Sequence, residues 1–193
     1  MEQPNIIVIN QDQVESVKSS MLMAFSSDPF IRWLFPNPND YLKNFSIWMD
    51  EFISTGLPAE CVYADDEVSG SAILHPPGIH LDPESIGPTI SAIPSDRVET
   101  ALKLFDIFGT FHPAEDHWYL AFLGVDPLKH GKGLGSNILK KTLEKIDKQG
   151  VVAYLESSNP QNISLYERYG FEIMEKIQEG DSPPIHPMIR PAQ

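Results

Sequence analysis

Residues 123–139, LGVDPLKHGKGLGSNIL, decide which fold this sequence predicts. They begin in an apolar run typical of a buried strand and lead into residues with helical spacing. Gly131, Gly133 and Gly135 stand at alternate positions between the two. The first N–H groups of a helix lack partners and lie at the positive end of its dipole, and glycines let an anion approach them without a Cβ in the way. The stretch therefore predicts a diphosphate site, the alternative being a plain turn that needs positive φ.

Two familiar phosphate-binding patterns do not fit these residues. Lys132 is followed by Gly133, whereas the P-loop requires Ser or Thr at that place. Counted from Gly131, the sixth residue is Ser136, so the dinucleotide pattern G-x-G-x-x-G is absent as well. The diphosphate is therefore expected to belong to a ligand of a different class from those that the P-loop and the dinucleotide pattern bind.

Apolar periodicity on both sides of the turn predicts an α/β fold. The predicted strands lie at residues 5–10, 61–65, 69–76, 118–125, 151–157, 171–178 and 186–191. The predicted helices lie at residues 13–25, 41–53, 97–108, 136–149 and 163–169, with a short helix that carries Phe30, Trp33 and Leu34. Residues 76–94 are rich in proline and glycine and predict an irregular loop. The order places a parallel crossover unit in the middle of the chain, within one domain spanning residues 1–193.

Composition narrows the class of protein. The chain has 193 residues, is 41% hydrophobic and carries a net charge of −13, which argues against a general nucleic-acid binder. The acidity mildly favours a cationic small molecule as partner, with plain solubility as the alternative. We expect no membrane segment, since no apolar stretch reaches about 18 residues, and no signal peptide. Cys61 is the only cysteine, so a reducing cytoplasm is the expected location.

Two motifs carry a resemblance to a known family. Val125-Asp-Pro-x-x-His130-x-x-Gly133-x-Gly135 resembles the acetyl-CoA loop of the GNAT superfamily of N-acetyltransferases. His130 stands where that family usually has Gln or Arg, a change that leaves the backbone amides of the loop untouched. Residues 158–172, SNPQNISLYERYGFE, resemble the family's second segment, an Asn followed six residues later by Tyr-Glu-x-x-Gly-Phe. Among family members, the two segments look most like the puromycin N-acetyltransferase branch.

The resemblance implies a fold, a co-substrate and a reaction. The fold would be a mixed, mostly antiparallel sheet that splays at the cofactor site and is flanked by helices. The reaction would be transfer of an acetyl group from acetyl-CoA to the amine of a small molecule, by direct attack in a ternary complex and without a metal. Two other functions stay open: a CoA-binding regulatory module without turnover, and a protein or peptide N-acetyltransferase. The chain could be a monomer or a homodimer.

The resemblance also implies roles for particular residues. Tyr166 would protonate the leaving thiolate, with a core tyrosine as the alternative. The end of the strand would lie along the pantetheine arm, where Gly124 suits a bulge or a close backbone approach. Asn159 would bond the pantetheine amides or, alternatively, cap the next helix. The residues expected to bind the cofactor are Leu123, Gly124, Val125, His130, Gly131, Lys132, Gly133, Leu134, Gly135, Ser136 and Asn159.

The general base is the least determined part of the expected site. Glu115, Asp116 and His117 lie near the start of the central strand, and His117 is favoured because an unperturbed histidine titrates near pH 6.5. His75 is a further candidate beside the expected acceptor groove. Each of these residues also has a simple interpretation as part of a loop or strand end. Three aromatic residues are expected to wall the groove: Phe30, Trp33 and Trp48.

Overall fold

Short runs rich in β-branched and aromatic residues form one mixed sheet. The computed structural model describes residues 4–79 and 83–193, and the sheet has seven strands within them. The strands are β1 (Ile6–Val8), β2 (Val62–Asp65), β3 (Gly70–His75), β4 (His117–Val125), β5 (Val152–Ser157), β6 (Glu172–Ile173) and β7 (His186–Arg190). Their spatial order is β1-β2-β3-β4-β5-β7-β6, and the β4–β5 pair alone is parallel. The predicted fold class is confirmed.

Helices cover both faces of the sheet. They are α1 (Val14–Ala24), α2 (Pro29–Leu34), α3 (Pro38–Gly56), α4 (Pro83–Ile90), α5 (Val98–Phe111), α6 (Leu134–Asp147) and α7 (Ile163–Arg168). Buried side chains of α1, α2, α3 and α5 form one core against the sheet, and those of α6 and α7 form the other. In the part of the chain that the structure describes, no helix has the length and apolarity needed to span a membrane.

The proline-rich stretch contains a helix that the sequence did not predict. Residues 76–94 were expected to form an irregular loop, but α4 lies within them, while residues 80–82 of the stretch are outside the described residues. Pro83 opens the helix, where a missing N–H costs nothing. The indole of Trp48 on α3 donates a hydrogen bond of 2.8 Å to Thr89 Oγ1 on α4. Tertiary contact with α3 thus supports a helix that local residue preferences do not favour.

The parallel pair formed by β4 and β5 opens into a gap. β4 and β5 are paired at three positions, from His117↔Val152 to Tyr119↔Tyr154, and at no later residue of either strand. On the other side of β4, Leu74 pairs with Leu120 and Ile73 with Phe122, so Ala121 is an extra residue in the ladder. A bulge of this kind bends its strand and increases the local twist. The bulge lies just beyond the last pair with β5, where the two strands separate.

Candidate active site

Two cavities meet where β4 and β5 separate. The first, the polar cleft, has a volume of about 510 Å³ and lies between the end of β4, the glycine turn and α7. The second, the aromatic cavity, has a volume of about 190 Å³ and lies under α2, α3 and α5. They share four lining residues: Phe25, Leu123, Asn162 and Tyr166. The residues predicted to bind the cofactor all line the polar cleft except Lys132, whose side chain is exposed.

The glycine turn presents a row of unpaired backbone donors to the polar cleft. Gly131 and Gly133 have φ angles of 74° and 78°, in the left-handed region that favours glycine. None of the backbone N–H groups from Gly131 to Ser136 donates a hydrogen bond to another described residue. These groups surround the first turn of α6, where the helix dipole is positive. The turn thus has the positive φ angles expected of a plain turn. It also has the free N–H donors expected of an anion site, so the two interpretations are compatible.

Side chains at both ends hold the glycine turn in place. A ring nitrogen of His130, Nε2, lies 2.9 Å from the carbonyl oxygen of Val125 at the end of β4. Ser136 Oγ lies 2.7 Å from the hydroxyl of Tyr169, which follows α7. The ammonium of Lys129 pairs with Glu67 at 3.0 Å, on the exposed surface. His130 therefore orients the turn through a backbone contact, a role that does not depend on the Gln or Arg usual in the family.

Gly124 lies where α1 crosses β4. A Cβ at this position would come within 2.8 Å of both Ala24 Cβ and Met21 Sδ. The close approach expected at Gly124 is thus made by α1, and the bulge expected there lies three residues earlier, at Ala121. Packing of the helix onto the strand is sufficient to require glycine at this position.

Asn159 caps the turn that precedes α7. Its Oδ1 accepts a hydrogen bond of 3.0 Å from the backbone N–H of Gln161. Since Asn159 also lines the polar cleft, its side-chain amide group is left available to donate toward that space. The capping role is confirmed, and the pantetheine contact stays a prediction.

Tyr166 lies at the junction of the two cavities. The side chain is 7% exposed, and its hydroxyl has no hydrogen bond to a described residue. Burial, and second the negative charge of Asp28, raise the pKa of Tyr166 well above its usual value near 10. The phenol is therefore neutral and able to donate a proton throughout the neutral range.

The aromatic cavity is lined almost entirely by apolar side chains. Among the described residues that line it, Glu156 is the only one with a charged side chain, and that side chain is 12% exposed. The aromatic residues that line it are Phe25, Phe30, Trp48, Phe52, Phe105, Phe108, Tyr119, Phe122 and Tyr166. Phe30 and Trp48 thus take the places expected of them. Trp33 is not part of the lining; its ring stacks on Phe30, and its indole donates to Asp181 at 3.2 Å.

His117 lies outside both cavities, at the start of β4. It lines a third space of about 750 Å³, which we call the outer cavity. This cavity shares Phe105, Phe108, Tyr119 and Glu156 with the aromatic cavity. One ring nitrogen of His117, Nε2, is 3.0 Å from Nδ1 of His112, and the other ring nitrogen of His112 is 3.3 Å from a carboxylate oxygen of Glu156. The structure therefore separates His117 from Tyr166 but connects it to the aromatic cavity through His112.

The outer cavity holds the other candidate bases as well. Glu115 and Asp116 are exposed on its rim. The buried ring of His75 stacks on Phe52, and its Nε2 lies 3.2 Å from the carbonyl oxygen of that residue. Burial lowers the pKa of His75, so this ring is neutral at neutral pH. His75 is thus engaged in packing at the wall of the outer cavity.

Sequence reasoning missed His112 and Glu156. Glu156 is a charged residue inside the apolar run VVAYLES, which was an available signal. His112 follows α5 in a stretch predicted as a connector, and nothing in its local sequence marks it. Forty-four residues separate the two, so their contact depends on the tertiary fold.

Comparisons with known proteins agree with this geometry. The family model described as the acetyltransferase (GNAT) family matches residues 22–171. An uncharacterized N-acetyltransferase of Schizosaccharomyces pombe is 34% identical over 80 residues, which cover 39% of this chain and 32% of that protein. The matched segment thus spans about a third of the length of this relative.

Solved structures extend the likeness over the whole fold. A histone acetyltransferase HPA2 and related acetyltransferase from Corynebacterium glutamicum has a TM-score of 0.69 and 24% identity, covering 100% of this chain and 98% of that one. An arylalkylamine N-acetyltransferase from Aedes aegypti has a TM-score of 0.67 and 14% identity, covering 100% of both chains. At these identities the likeness shows a shared fold.

Proposed function

This chain belongs to the acetyltransferase (GNAT) family, whose members use acetyl-CoA, and we propose that it transfers an acetyl group from acetyl-CoA to the amine of a small molecule. One observation carries the proposal. A neutral tyrosine, Tyr166, lies where a cleft with unpaired backbone donors meets the aromatic cavity. An acyl donor and an acceptor in the two spaces would meet at this residue, as direct attack in a ternary complex requires.

The polar cleft fits acetyl-CoA as co-substrate. The N–H groups from Gly131 to Ser136 would hold its pyrophosphate, which helix N-termini bind well. The pantetheine arm would follow the open edge of Leu123 to Val125, with the amide of Asn159 beside it. Lys132 lies outside the cleft lining and would contribute charge from the surface.

The aromatic cavity fits a small amine better than a polypeptide. Its volume of about 190 Å³ is below the roughly 300 Å³ at which pockets for drug-sized ligands begin. Aromatic walls with one carboxylate match an amine whose body is apolar and whose nitrogen is cationic. The Aedes aegypti neighbour is described as acting on arylalkylamines, which have this chemistry. Residues of α2, α3 and α5 supply much of its wall.

The proposed reaction forms one C–N bond and breaks one C–S bond. The amine nitrogen, after losing a proton, attacks the thioester carbonyl. The C–S bond then breaks, and the departing sulfur takes the phenolic proton of Tyr166. The phenolate recovers a proton from the nitrogen of the new amide. The resemblance to the puromycin N-acetyltransferase branch rests on the two sequence motifs alone and stays a prediction.

A substitution at Gly135 tests the cofactor site without straining the backbone. A Cβ there would make an ordinary contact of 3.4 Å with Val125, and an aspartate near the start of a helix favours folding. We expect Gly135→Asp to keep its melting temperature and to lose at least about tenfold in acetyl-CoA affinity by calorimetry, because a carboxylate repels pyrophosphate.

The neutral isostere Gly135→Asn is the matched control and is expected to bind more tightly than Gly135→Asp. A panel of alkyl, aryl and polyamine acceptors is then assayed by thiol release. Equal binding by the two variants would remove the anion site from the glycine turn. Acetyl-CoA binding without thiol release for any amine would favour the regulatory module instead.

A further inference from the structure

We infer that Glu156 is the general base of the proposed transfer, and that His112 and His117 carry the proton from it to the outer cavity. The inference rests on the proposed function, since it names the group that removes the proton from the acceptor amine. His117, which the sequence suggested as the general base, would then relay the proton instead of taking it from the substrate.

Glu156 has the position that a base for this reaction requires. It is the one charged side chain among the described residues lining the aromatic cavity, and it also lines the outer cavity. An amine arrives mostly as its ammonium form, because aliphatic amines titrate near pH 10. A buried carboxylate both attracts that cation and accepts its proton.

Close polar contacts lead from Glu156 to the surface. The carboxylate lies 3.3 Å from Nε2 of His112, and Nδ1 of His112 lies 3.0 Å from Nε2 of His117. Nδ1 of His117 lies 2.9 Å from the carbonyl oxygen of Glu115. A carbonyl only accepts, so this last nitrogen carries a proton.

Two neutral rings fit these contacts in one way. Nδ1 of His117 donates to the Glu115 carbonyl, so its Nε2 carries no proton and accepts from Nδ1 of His112. Nε2 of His112 is then free to accept a proton, and it is the atom that faces the carboxyl group of Glu156. A proton that reaches Glu156 can therefore continue onto His112.

Among the described residues, no other group facing Glu156 competes for this role. Burial, and second the negative charge of Glu156, raise the pKa of Tyr119 on β4 and of Tyr154 on β5, so both phenols stay neutral. On β7 the residue paired with Glu156 is Pro187, which is uncharged. The remaining titratable groups that the structure describes in the outer cavity are His75, which packs on Phe52, and the exposed Glu115 and Asp116.

The proton balance follows from this arrangement. The ammonium gives one proton to the Glu156 carboxylate, and the freed lone pair attacks the thioester carbonyl. The carboxylic acid passes its proton to His112, His112 passes one to His117, and His117 releases one to water in the outer cavity. The second proton of the nitrogen restores Tyr166 after the C–S bond breaks. One proton is released for each acetyl group transferred.

The test is the pH dependence of kcat/KM for Glu156→Gln with 2-phenylethylamine and with each amine that the wild type acetylates. We expect a fall of about 10²- to 10⁴-fold at pH 7, the range typical of a lost general base. The deficit should shrink steadily toward pH 10, because the amine then arrives already deprotonated. The dissociation constant for acetyl-CoA should equal that of the wild type. Glu172→Gln, on the exposed edge strand β6, is the matched control.

The relay is tested by His112→Gln, which also serves if Glu156→Gln does not fold. We expect kcat/KM of this variant to fall about tenfold at pH 7 and to approach the wild-type value as the pH rises. A purely structural role would instead lower kcat/KM by the same factor at every pH. A pH-independent deficit in either variant, or a Glu156→Gln enzyme within threefold of wild type, overturns the inference alone. A wild type that binds acetyl-CoA but acetylates no amine overturns the proposed function, and the inference with it.

Discussion

Tyr166 shows how burial sets the chemistry of one side chain. Its phenol lies between the two cavities with no hydrogen bond to a described residue, and its pKa is raised mainly by burial. A free phenol that keeps its proton is suited to donate to a departing thiolate and unsuited to act as a base. The same burial leaves the ring in contact with Phe171, so the residue also belongs to the core.

Replacing Tyr166 by phenylalanine separates the chemical role from the packing role. We expect Tyr166→Phe to lose about 10²-fold in kcat, the lower end of the range for a missing general acid. Its acetyl-CoA affinity and melting temperature should change little, because the ring is kept. Tyr63→Phe, a buried tyrosine on β2 outside both cavities, is the control. Unchanged thiol release in Tyr166→Phe would assign the residue to packing alone.

At the scale of elements, the short helix α2 is fixed by one carboxylate. Oδ1 of Asp28 accepts hydrogen bonds of 3.0 Å from the N–H groups of Phe30 and Ile31, and Oδ2 accepts one of 2.7 Å from the hydroxyl of Ser158. Asp28 thereby joins a wall of the aromatic cavity to the loop after β5. Burial raises the pKa of this carboxyl, partly offset by the bonds it accepts.

A comparison of two helix caps tests whether this link matters for activity. Asn37 caps α3 in the same way but has no bond to the loop after β5. Removing either cap should cost about 0.5–2 kcal/mol in the free energy of unfolding, measured by urea denaturation. We expect Asp28→Ala also to lower kcat/KM severalfold, while Asn37→Ala keeps wild-type activity. Equal activity of the two variants would show that the Ser158 link does not position the site.

At the scale of the whole molecule, the chain carries an unusual number of buried phenols. Five of its six tyrosines have a raised pKa, with burial as the largest cause; for Tyr63 the pKa rises to about 12. Unfolding returns each of these phenols to water, where it titrates near pH 10. Between pH 10 and the higher folded-state values, the unfolded chain has therefore released protons that the folded chain retains.

This difference predicts that stability falls steeply above pH 10. Below that pH both states keep the phenolic protons and the tyrosines add no pH dependence. Above it, each buried tyrosine lowers the free energy of unfolding by up to about 1.4 kcal/mol per pH unit. Urea denaturation from pH 8 to pH 11 measures the slope, and Tyr63→Phe should flatten it. Phenolate absorbance that appears near pH 10 with no loss of stability would contradict the prediction.

Sequence patterns were sufficient for most of the fold and half of the candidate site. Strands and helices on both sides of the glycine turn follow from local periodicity, which depends only on neighbouring residues. Positive φ at Gly131 and Gly133 is likewise a local property, because glycine alone adopts it without strain. Residues that line the polar cleft could therefore be named from the sequence, with Lys132 as the one named residue that lies outside it.

The aromatic cavity depended on the tertiary structure. The bulge at Ala121, the walls supplied by α2, α3 and α5, and the contact between His112 and Glu156 all join residues distant in the chain. Local preference does not encode such contacts, since they form only when the helices pack on the sheet. By itself the sequence determined the glycine turn and the strands and helices on either side of it, because these depend on neighbouring residues. Only the packing of distant elements decided which carboxylate lines the aromatic cavity and which histidines lie beside it.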